Sequence, residues 1–350
     1  MSVAFVTRDF TGQFPDLTPG GCCYYRCYLP AFTLKERTAV GLPVFDPIRG
    51  FGVKDGESVG LFGFSTVVLK LLMDRWTPRQ IELAKSLGQR IVVDIDDYYD
   101  GLTPANIAYE ITSAENNKRT NREHYKRVIE LADLITVSTP FLLEHYSKQY
   151  PNVKMVRNGV NLQQFTPRKQ LNRKPVIGWV GAINFRNNDL EQLREWLPDF
   201  LEENDLMFHH AGHADNAPSF EDVTGVNPNR VTRSPLVPIT HYASGFQFDI
   251  GIVPLNDIPF NHAKSNIKGL EYVASGIPFV ASYSPEYMEL AATGVGRVAW
   301  DTAGWVKWMI ELLDYHTRKT EARNNLAVVK EHWGIDSRIQ DWQQALSPIA

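Results

Sequence analysis

The stretch that decides the fold runs from Phe260 to Ser282 and reads FNHAKSNIKGLEYVASGIPFVAS. It opens with a polar loop, and residues 264–275 then place apolar side chains at helical spacing. Gly276 is suited to end this helix, because glycine adopts the left-handed conformation of a helix cap at little cost. The apolar run over 278–282 predicts a buried strand. A helix that leads directly into a buried strand indicates a parallel α/β layer.

The same alternation of apolar runs and helical patterns continues on both sides of this stretch. It predicts further strands at 2–7, 40–45, 58–62, 67–72, 90–95, 134–138, 153–156, 176–180, 206–211, 230–233, 248–253 and 297–299. Helices are predicted over 20–36, 78–87 and 121–131, from 139 and 189, near 239–244, and after 299 to the end. Strands that alternate with helices in this way favour parallel sheets with helices on both faces.

One stretch interrupts the alternation and divides the chain into two halves of similar size. Residues 158–175 are polar, basic and end at a proline, which is typical of a linker. We therefore predict a first domain over 1–157, a second over 176–335, and a C-terminal helix at 336–350 that packs back on the first domain. Ligands of parallel sheets bind outside the carboxyl ends of the strands, so two Rossmann-like halves are expected to face each other across a cleft.

Composition places the chain among ordinary globular proteins. Of its 350 residues, 43% are hydrophobic and 11% are aromatic, which excludes a disordered chain and is enough for two cores. The sequence has no run of 18 apolar residues, and its N-terminus lacks the basic and apolar regions of a signal peptide. A cytoplasmic protein is therefore expected. The net charge of −4 gives no overall attraction to nucleic acid.

Three familiar kinds of site are missing from the sequence. The segment TRDFTG after the first predicted strand lacks the Gly-x-Gly-x-x-Gly spacing of dinucleotide enzymes, and no Walker phosphate loop is present. The cysteines, Cys22, Cys23 and Cys27, have no second group of Cys or His at the spacing of a zinc site. We interpret them as packing residues with free thiols.

The start of the 264–275 helix has the chemistry of an anion site. The backbone amides of Ser265 and Asn266 would be free of helical partners there, and Lys264 adds a positive charge. Glu271 lies about two turns further along, where its carboxylate could accept hydrogen bonds from two ribose hydroxyls. These residues predict a site for a nucleoside diphosphate, although an amphipathic helix with a solvated Lys and Glu would show the same pattern.

Five segments, in the same order along the chain, resemble glycosyltransferases of the GT-B fold, particularly the large retaining family 4. The decisive stretch resembles that family's block Glu-x7-Glu-x-Met/Tyr-Ala-x-Gly-x-Pro-Val-Val-Ala-Ser, and the others lie at 132–138, 156–167, 177–181 and 248–255. The resemblance covers 130–300 well and the N-terminal third only loosely. It implies two Rossmann-like domains and the transfer of a hexose, with retention, from a UDP- or GDP-sugar to a hydroxyl. An epimerase of the same fold and a sugar-binding protein without activity are the alternatives.

The same resemblance implies roles for individual donor-site residues. Gly181 would let the diphosphate approach the backbone, where a Cβ would collide, and Arg186 would add a second cation. The backbone at Val237 would meet the base, and Ile267 would join the phosphate-binding amides. Lys264 would stabilise the charge that develops on the departing diphosphate, which makes it a catalytic candidate.

One position departs from the family pattern. Ala263 stands where the family has its first Glu, which normally helps to hold the transferred sugar. His262 or Asn261 is a candidate to replace that contact, and a buried, hydrogen-bonded loop residue is the alternative role for each. The transferred sugar and the stereochemical course therefore stay open at this point.

A group of carboxylates lies at the end of the strand predicted at 90–95. Asp96 or Asp97 is a candidate to bind the acceptor or remove its proton. Asp94 and Asp96 share one face of the strand and could together hold a divalent cation, whereas capping of the strand end is the structural alternative. Because GT-B enzymes usually work without a bound metal, the resemblance favours a site with no metal and no cofactor beyond the donor substrate.

The N-terminal third carries the acceptor hypothesis. Gly20 and Gly21 resemble a glycine loop that leaves room for donor phosphate and acceptor, and Arg26 follows about one helical turn later. The run over 20–31 resembles a variant in transferases encoded by bacteriophages. For such enzymes a hydroxymethylated base in DNA, a virion protein or a host surface glycan is a plausible acceptor.

DNA is the leading acceptor hypothesis. Lys169 and Arg173 of the linker could hold a phosphate backbone, and Tyr98 could stack on an extruded base. Further residues of the same two kinds are Arg157, Arg168, Lys174, Tyr24, Tyr25 and Tyr99. A solvated linker with core tyrosines is the structural alternative, and a protein or a surface glycan or lipid is the alternative acceptor.

Overall fold

In the computed structural model the chain forms two units, each built around its own sheet. The structure describes residues 2–11, 17–34, 37–54, 60–106, 108–109, 121–167, 171–183, 187–214 and 217–347. We refer below to an N-terminal unit and a C-terminal unit. The N-terminal unit comprises Met1–Asp100, Glu110–Gly159 and Ile335–Ala350, and the C-terminal unit comprises Gly101–Tyr109 and Val160–Gly334.

Seven strands form the main sheet of the N-terminal unit. The strands of this unit are β1 (Ser2–Thr7), β2 (Phe10–Thr11), β3 (Thr18–Pro19), β4 (Arg37–Asp46), β5 (Gly50–Lys54), β6 (Thr66–Lys70), β7 (Arg90–Ile95), β8 (Leu134–Val137) and β9 (Val153–Met155). The main sheet has the order β5-β4-β1-β6-β7-β8-β9, while β2 and β3 pair separately. Neighbours in the main sheet run parallel except β4 and β5. The central strands β1, β6 and β7 are apolar and buried, as expected where helices cover both faces.

The helical segments of this unit include one wide turn with a clear cause. The segments are Gly21–Cys23, Tyr24–Tyr28, Leu29–Thr33, Thr77–Ser86, Tyr99–Gly101, Asn121–Glu130, Pro140–Ser147 and Ile335–Leu346. Tyr24–Tyr28 is a π-helical turn inside the helix that begins at Gly21. Pro30 follows it directly; it has no amide hydrogen to donate and its ring crowds the preceding turn, so a wider turn accommodates it.

The edge of this sheet differs from the prediction. The predicted strand at 40–45 is longer, as β4, and turns back into β5, which the sequence did not reveal. Two glycines, Gly50 and Gly52, weaken the strand signal of β5. The strand predicted at 58–62 is wrong for 60–62, where Leu61 makes an isolated bridge to Val53, and residues 58 and 59 lie outside the described residues.

The helix Ile335–Leu346 packs within the N-terminal unit. Trp342 meets Phe5 of β1 edge to face, with the ring centroids 5.4 Å apart. Ile339 and Leu346 belong to the same buried cluster. Arg90 donates hydrogen bonds to the carbonyl of Leu346 and so caps the C-terminal end of this helix.

Six parallel strands form the sheet of the C-terminal unit. They are β10 (Val176–Val180), β11 (Met207–His213), β12 (Val231–Pro235), β13 (Ile250–Val253), β14 (Phe279–Ser282) and β15 (Arg297–Ala299). Their order in the sheet is β12-β11-β10-β13-β14-β15. The helical segments are Glu191–Glu195, Leu197–Glu203, Phe220–Thr224, Pro228–Arg230, Ile239–Gly245, Pro259–His262, Ile267–Ala274, Pro285–Ala292, Thr302–Leu313 and Tyr315–His332.

The decisive stretch departs from the prediction only at its start. Its helix begins at Ile267 rather than at Lys264, and Pro259–His262 forms a short helix where a polar loop was expected. Gly276 adopts a left-handed conformation with φ of 74°, as expected for a residue that ends a helix. The strand β14 follows immediately. In the part of the chain that the structure describes, no helix is long and apolar enough to cross a membrane.

Candidate functional site

The topology of the C-terminal sheet places its ligand site at the carboxyl end of β10. The strand has β11 on one side and β13 on the other, so the strand order reverses there. In open parallel sheets, ligands bind where the order reverses. The loop that begins at Gly181 follows β10, and the helix Ile267–Ala274 lies between β13 and β14 in the chain.

Gly181 is held in a conformation that only glycine adopts readily. Its φ is 148°, its amide donates to the carbonyl of Ala211 at 2.8 Å, and its own carbonyl accepts from His210 Nε2 at 3.1 Å. Gly212 lies against it, since a Cβ there would come within 2.9 Å of the Gly181 carbonyl oxygen. Burial lowers the pKa of His210 to about 4, so the imidazole is neutral at physiological pH. The structure thus places Gly181 as the resemblance implied and adds two supporting residues.

A second lysine, Lys268, lies closer to this loop than the sequence indicated. Its ammonium donates to the carbonyl oxygen of Val180, the last residue of β10, and lies 3.5 Å from the hydroxyl of Tyr242. Tyr242 belongs to the helix Ile239–Gly245, which follows the half-buried Val237. The signal for Lys268 is its position one helical turn after Lys264 in the sequence KSNIK.

The residues predicted to hold phosphate surround the start of the helix Ile267–Ala274. Asn266 is the N-cap residue, and its side-chain Nδ2 is buried with no hydrogen-bond partner among the described residues. Ser265 and Lys264 are half-buried, and the Lys264 ammonium lies 4.5 Å from the ring centroid of Phe260. Glu271 is buried in the second turn of the helix.

A buried polar network fixes the loops after β10 and β13. Asp189 Oδ1 accepts from the amide of Asn256 at 2.9 Å and from Asn261 Nδ2 at 2.7 Å. Asn256 Nδ2 donates to the carbonyl of Asn187 at 2.7 Å, and Thr103 donates to the Asn187 side chain. Asn261 therefore has the buried, hydrogen-bonded role that was one of its two alternatives.

Other predicted residues of this unit lie apart from the network or outside the described residues. His262 is half-buried, and its Nε2 lies 2.5 Å from Asp257 Oδ1. Arg173 is exposed, with its guanidinium 5.2 Å from the ring centroid of Tyr315. Arg186 and Lys169 lie outside the described residues, so their predicted roles stay predictions.

Three charged residues meet at the carboxyl ends of neighbouring strands in the N-terminal unit. Asp9 follows β1, Lys70 ends β6 and Asp96 follows β7. The Lys70 ammonium bonds Asp96, and although burial favours the neutral acid, this charge holds the pKa of Asp96 below its ordinary value. Burial raises the pKa of Asp9, whose Oδ2 accepts from the amide of Cys23 at 2.6 Å. Lys70 and Asp9 were not among the predicted residues, because only the sheet register joins them to Asp96.

Gly20 and Gly21 differ in what surrounds them. A Cβ on Gly20 would lie 2.1 Å from Asp9 Oδ1, so the close approach at this glycine is to the Asp9 carboxylate. Gly21 is exposed, and a Cβ there would meet nothing within 4 Å. Asp9 thus occupies the helix start at which the resemblance implied donor phosphate.

Arg26 and Asp94 form a buried ion pair. Arg26 is fully buried and donates from Nε and Nη2 to the two oxygens of Asp94, at 3.0 and 2.6 Å. It also donates to the carbonyl of Val156 at 2.6 Å, and Asp94 accepts from the hydroxyl of Thr136. These contacts give Arg26 a structural role in place of the predicted acceptor contact, and they use the Asp94 oxygens that were considered for a metal.

The remaining candidates for metal or base contact lie next to this pair. Cys22, Asp96 and Asp97 bring one ligand atom each to within 4.8 Å of one another. Tyr98 is half-buried, and its ring packs against His145 and Phe141. The other tyrosines of the stacking hypothesis, Tyr24, Tyr25 and Tyr99, are 4%, 6% and 7% exposed. These three are core residues, which removes most of the structural support for an extruded base in this unit.

The two units together define the GT-B fold, and solved structures with this fold match the whole chain. The structure of Alr3699/HepE from Anabaena in complex with UDP superposes with a TM-score of 0.65 at 15% identity and covers 100% of both chains. Its complex with UDP-glucose gives 0.62 at 15% identity. TarM gives 0.58 at 12% identity over 81% of this chain and 55% of that chain. At these identities the likeness shows the fold alone.

One curated relative is similar in sequence over part of its length. It is the Bacillus subtilis (strain 168) protein TuaH, named "Putative teichuronic acid biosynthesis glycosyltransferase". The two are 30% identical over 175 residues, which cover 45% of this chain and 42% of the relative. No protein-family model matches the chain.

Proposed function

We propose that this chain is a glycosyltransferase that moves a hexose from a UDP-sugar to a hydroxyl group, with retention. The observation that carries the proposal is the site at the carboxyl end of β10, where Gly181, Lys268 and Asn266 supply a close backbone approach, a cation and a buried donor. UDP and UDP-glucose in the Alr3699/HepE complexes support UDP as the nucleotide. GDP is the second candidate from the sequence.

Each donor group has a proposed partner in this site. The diphosphate would approach Gly181 and the amides of Ser265, Asn266 and Ile267, with Lys264 as the side-chain cation. The ribose hydroxyls would donate to the carboxylate of Glu271. Val237 and its neighbours would meet the base, and Arg186 is retained as a proposed second cation.

Breakage of the bond between the hexose and the diphosphate leaves negative charge on the phosphate oxygens. Lys264 and the amides at the helix start would stabilise that charge, which is the largest contribution that fixed donors make to such a step. The acceptor oxygen would then bond to the same face of the sugar carbon, and its proton would pass to the departing phosphate. This course needs no protein nucleophile.

The state of Asp96 supports retention over inversion. An inverting enzyme needs a base that can take the acceptor proton, and such a base works best with a pKa near the working pH. The Lys70 charge holds the pKa of Asp96 low, so this carboxylate is a weak base. We propose that Asp96 and Asp97 orient the acceptor hydroxyl in the N-terminal unit instead.

A glycan or polyol hydroxyl is the acceptor class we favour. The TuaH name refers to an acidic polysaccharide, and TarM has been crystallised with UDP and α-GlcNAc-glycerol. Hydroxymethylated DNA is the acceptor that the sequence placed first, but Tyr24, Tyr25 and Tyr99 are buried. Lys169 and Arg173 remain the residues to test if DNA is the substrate.

The full chain with UDP-, GDP- and TDP-hexoses tests this proposal. Thermal shift identifies the nucleotide, and proton NMR of the reaction shows whether the hexose is hydrolysed, transferred or interconverted. Transfer with an unchanged anomeric configuration is expected. Interconversion of hexoses without transfer would indicate an epimerase, and binding without turnover would indicate a sugar-binding protein. Transfer to hydroxymethylated duplex at about 50 mM salt that is lost by about 200 mM would identify DNA as the acceptor.

A further inference from the structure

Two aromatic side chains form an exposed stacked pair at the carboxyl edge of the C-terminal sheet. Tyr283 directly follows β14 and Trp300 directly follows β15. Their ring centroids are 4.1 Å apart, and the ring planes are inclined by 23°. The amide of Tyr283 donates to the carbonyl of Ala299 at 2.9 Å, which fixes the two strand ends against each other. The pair is therefore presented by two strands of the sheet rather than by a free loop.

The exposure of Trp300 is unusual for such a large apolar side chain. It is 67% exposed, although indole is among the side chains whose burial contributes most to stability. Stacking on Tyr283 holds the ring in one orientation, so little side-chain entropy is left to lose when a ligand covers it. Trp76, which is 57% exposed, differs because the Arg75 guanidinium lies 4.5 Å from its ring centroid. Trp300 thus has the properties of a preformed binding surface.

Polar groups beside the pair indicate the chemistry of its ligand. The ring of His262 lies 6.2 Å from that of Tyr283 and is bonded to Asp257, whose side chain is 76% exposed. Asp301, also exposed, directly follows Trp300. Carboxylates accept hydrogen bonds from hydroxyl groups and repel phosphates and other anions. An uncharged polyol fits these surroundings better than a nucleic acid or an anionic lipid.

We propose that Tyr283 and Trp300 form a platform that binds a pyranose ring of a glycan acceptor. A pyranose has an apolar face of C–H groups, which would lie on the exposed indole face, and a rim of hydroxyls, which would donate to Asp257 and Asp301. The strand β15 lies two positions from β13 in the sheet, so the platform is separate from the donor site at β10. The proposal rests on the proposed glycosyltransferase function for its acceptor, but saccharide binding at the platform can be measured without turnover.

Fluorine NMR of the full chain, labelled with 5-fluorotryptophan, tests this proposal. The Trp300 resonance is assigned from its loss in Trp300→Phe, and the protein is titrated with cellohexaose, chitohexaose and a dodecamer of thymidylate. A saturable shift of the Trp300 resonance with a hexasaccharide is expected, with no shift for the oligonucleotide. No shift with either saccharide, or a shift with the oligonucleotide only, would overturn the platform.

A binding assay with matched variants supplies the second measurement. Trp300→Ala is expected to raise the dissociation constant for the bound hexasaccharide by about three- to tenfold, the size of one aromatic contact. Ile310→Ala removes another exposed apolar side chain, 55% exposed in the helix Thr302–Leu313, and is expected to leave that constant unchanged. Equal loss in the two variants would contradict a specific role. Failure of the protein to bind any UDP-, GDP- or TDP-hexose would count against the proposed function and not against the platform.

Discussion

The imidazole of His210 donates a hydrogen bond from Nε2 to the carbonyl oxygen of Gly181, with the two atoms 3.1 Å apart. The ring also stacks on Trp179 at a centroid distance of 5.2 Å, so packing as well as hydrogen bonding fixes its position. His210 is 1% exposed. This one contact ties a strand interior to the loop at which we propose that the diphosphate binds.

The pH dependence of stability should report this contact. The pKa of His210 is lowered by burial to about 4 from an ordinary value of 6.5. Between these values the unfolded chain binds a proton that the folded chain does not, so the free energy of unfolding falls as the pH is lowered through this window. The whole shift corresponds to at most about 3 kcal/mol. Above pH 6.5 the contribution is fully present.

Urea unfolding of the wild type and of His210→Gln measures this effect, since glutamine can donate to Gly181 but does not titrate in this range. The stability advantage of the wild type over the variant is expected to shrink as the pH is lowered from 7.5 to 4.5. An advantage that stays constant, or grows, over this range would show that His210 is not held neutral by the fold.

Glu271→Gln should weaken the binding of UDP much more than it weakens the fold. The proposed ribose contacts are two hydrogen bonds to an ionised carboxylate, and losing the charge on both would raise the dissociation constant for UDP by about 10²-fold. Isothermal titration calorimetry gives that constant, and thermal unfolding without ligand gives the effect on the fold. An unchanged dissociation constant would remove Glu271 from the donor site.

Lys264→Ala should lower turnover with every nucleotide-hexose that the enzyme accepts, because the diphosphate is common to all of them. Loss of one fixed donor at a developing charge costs about 10²-fold in kcat. Lys307→Ala is the matched control, since the Lys307 ammonium lies 4.3 Å from the Trp308 ring centroid, much as Lys264 lies over Phe260. Lost turnover with one hexose only would mean that Lys264 contacts the sugar instead.

Sequence reasoning could identify the donor-site residues that are close together in the chain. Lys264, Asn266 and Glu271 share one loop and helix, so spacing and helical periodicity are enough to place them together. His210 and Lys268 were missed, because their contacts with the loop after β10 depend on which strands are neighbours. The pairing of β10 with β11 and with β13 sets those contacts, and no local pattern in the sequence encodes it.

The N-terminal unit shows the same limit more strongly. Asp96 was predicted at the end of its strand, but its partner Lys70 is 26 residues away in the chain. Arg26 appeared to be an acceptor residue because it follows a glycine pair at helical spacing. Its partner Asp94 lies 68 residues away, and only the fold shows that the pair is buried. Charged residues are rarely buried without a partner, so sequence alone favours the exposed interpretation.

Chelation with EDTA should leave most of the transferase activity intact. The cations proposed for the donor site are lysine ammonium groups and backbone amides, and in the N-terminal unit the Lys70 ammonium already bonds Asp96. Initial rates with and without EDTA, and after addition of Mn²⁺, test this prediction. Loss of activity that Mn²⁺ restores would make Cys22, Asp96 and Asp97 metal ligands, because their ligand atoms lie within 4.8 Å of one another.

The buried pair of Arg26 and Asp94 should be essential for the stability of the N-terminal unit. Arg26→Met would leave the Asp94 carboxylate buried without its cation, which costs about 3–5 kcal/mol in the free energy of unfolding. The double variant Arg26→Met/Asp94→Asn removes both charges and should be less destabilised than the single variant. The exposed pair of Glu144 and Lys148 is the control, since Lys148→Met should have little effect on stability. Urea unfolding of the four proteins, the wild type included as reference, gives these differences. A single Arg26 variant with wild-type stability and impaired acceptor binding would contradict the structural role and return Arg26 to the acceptor site.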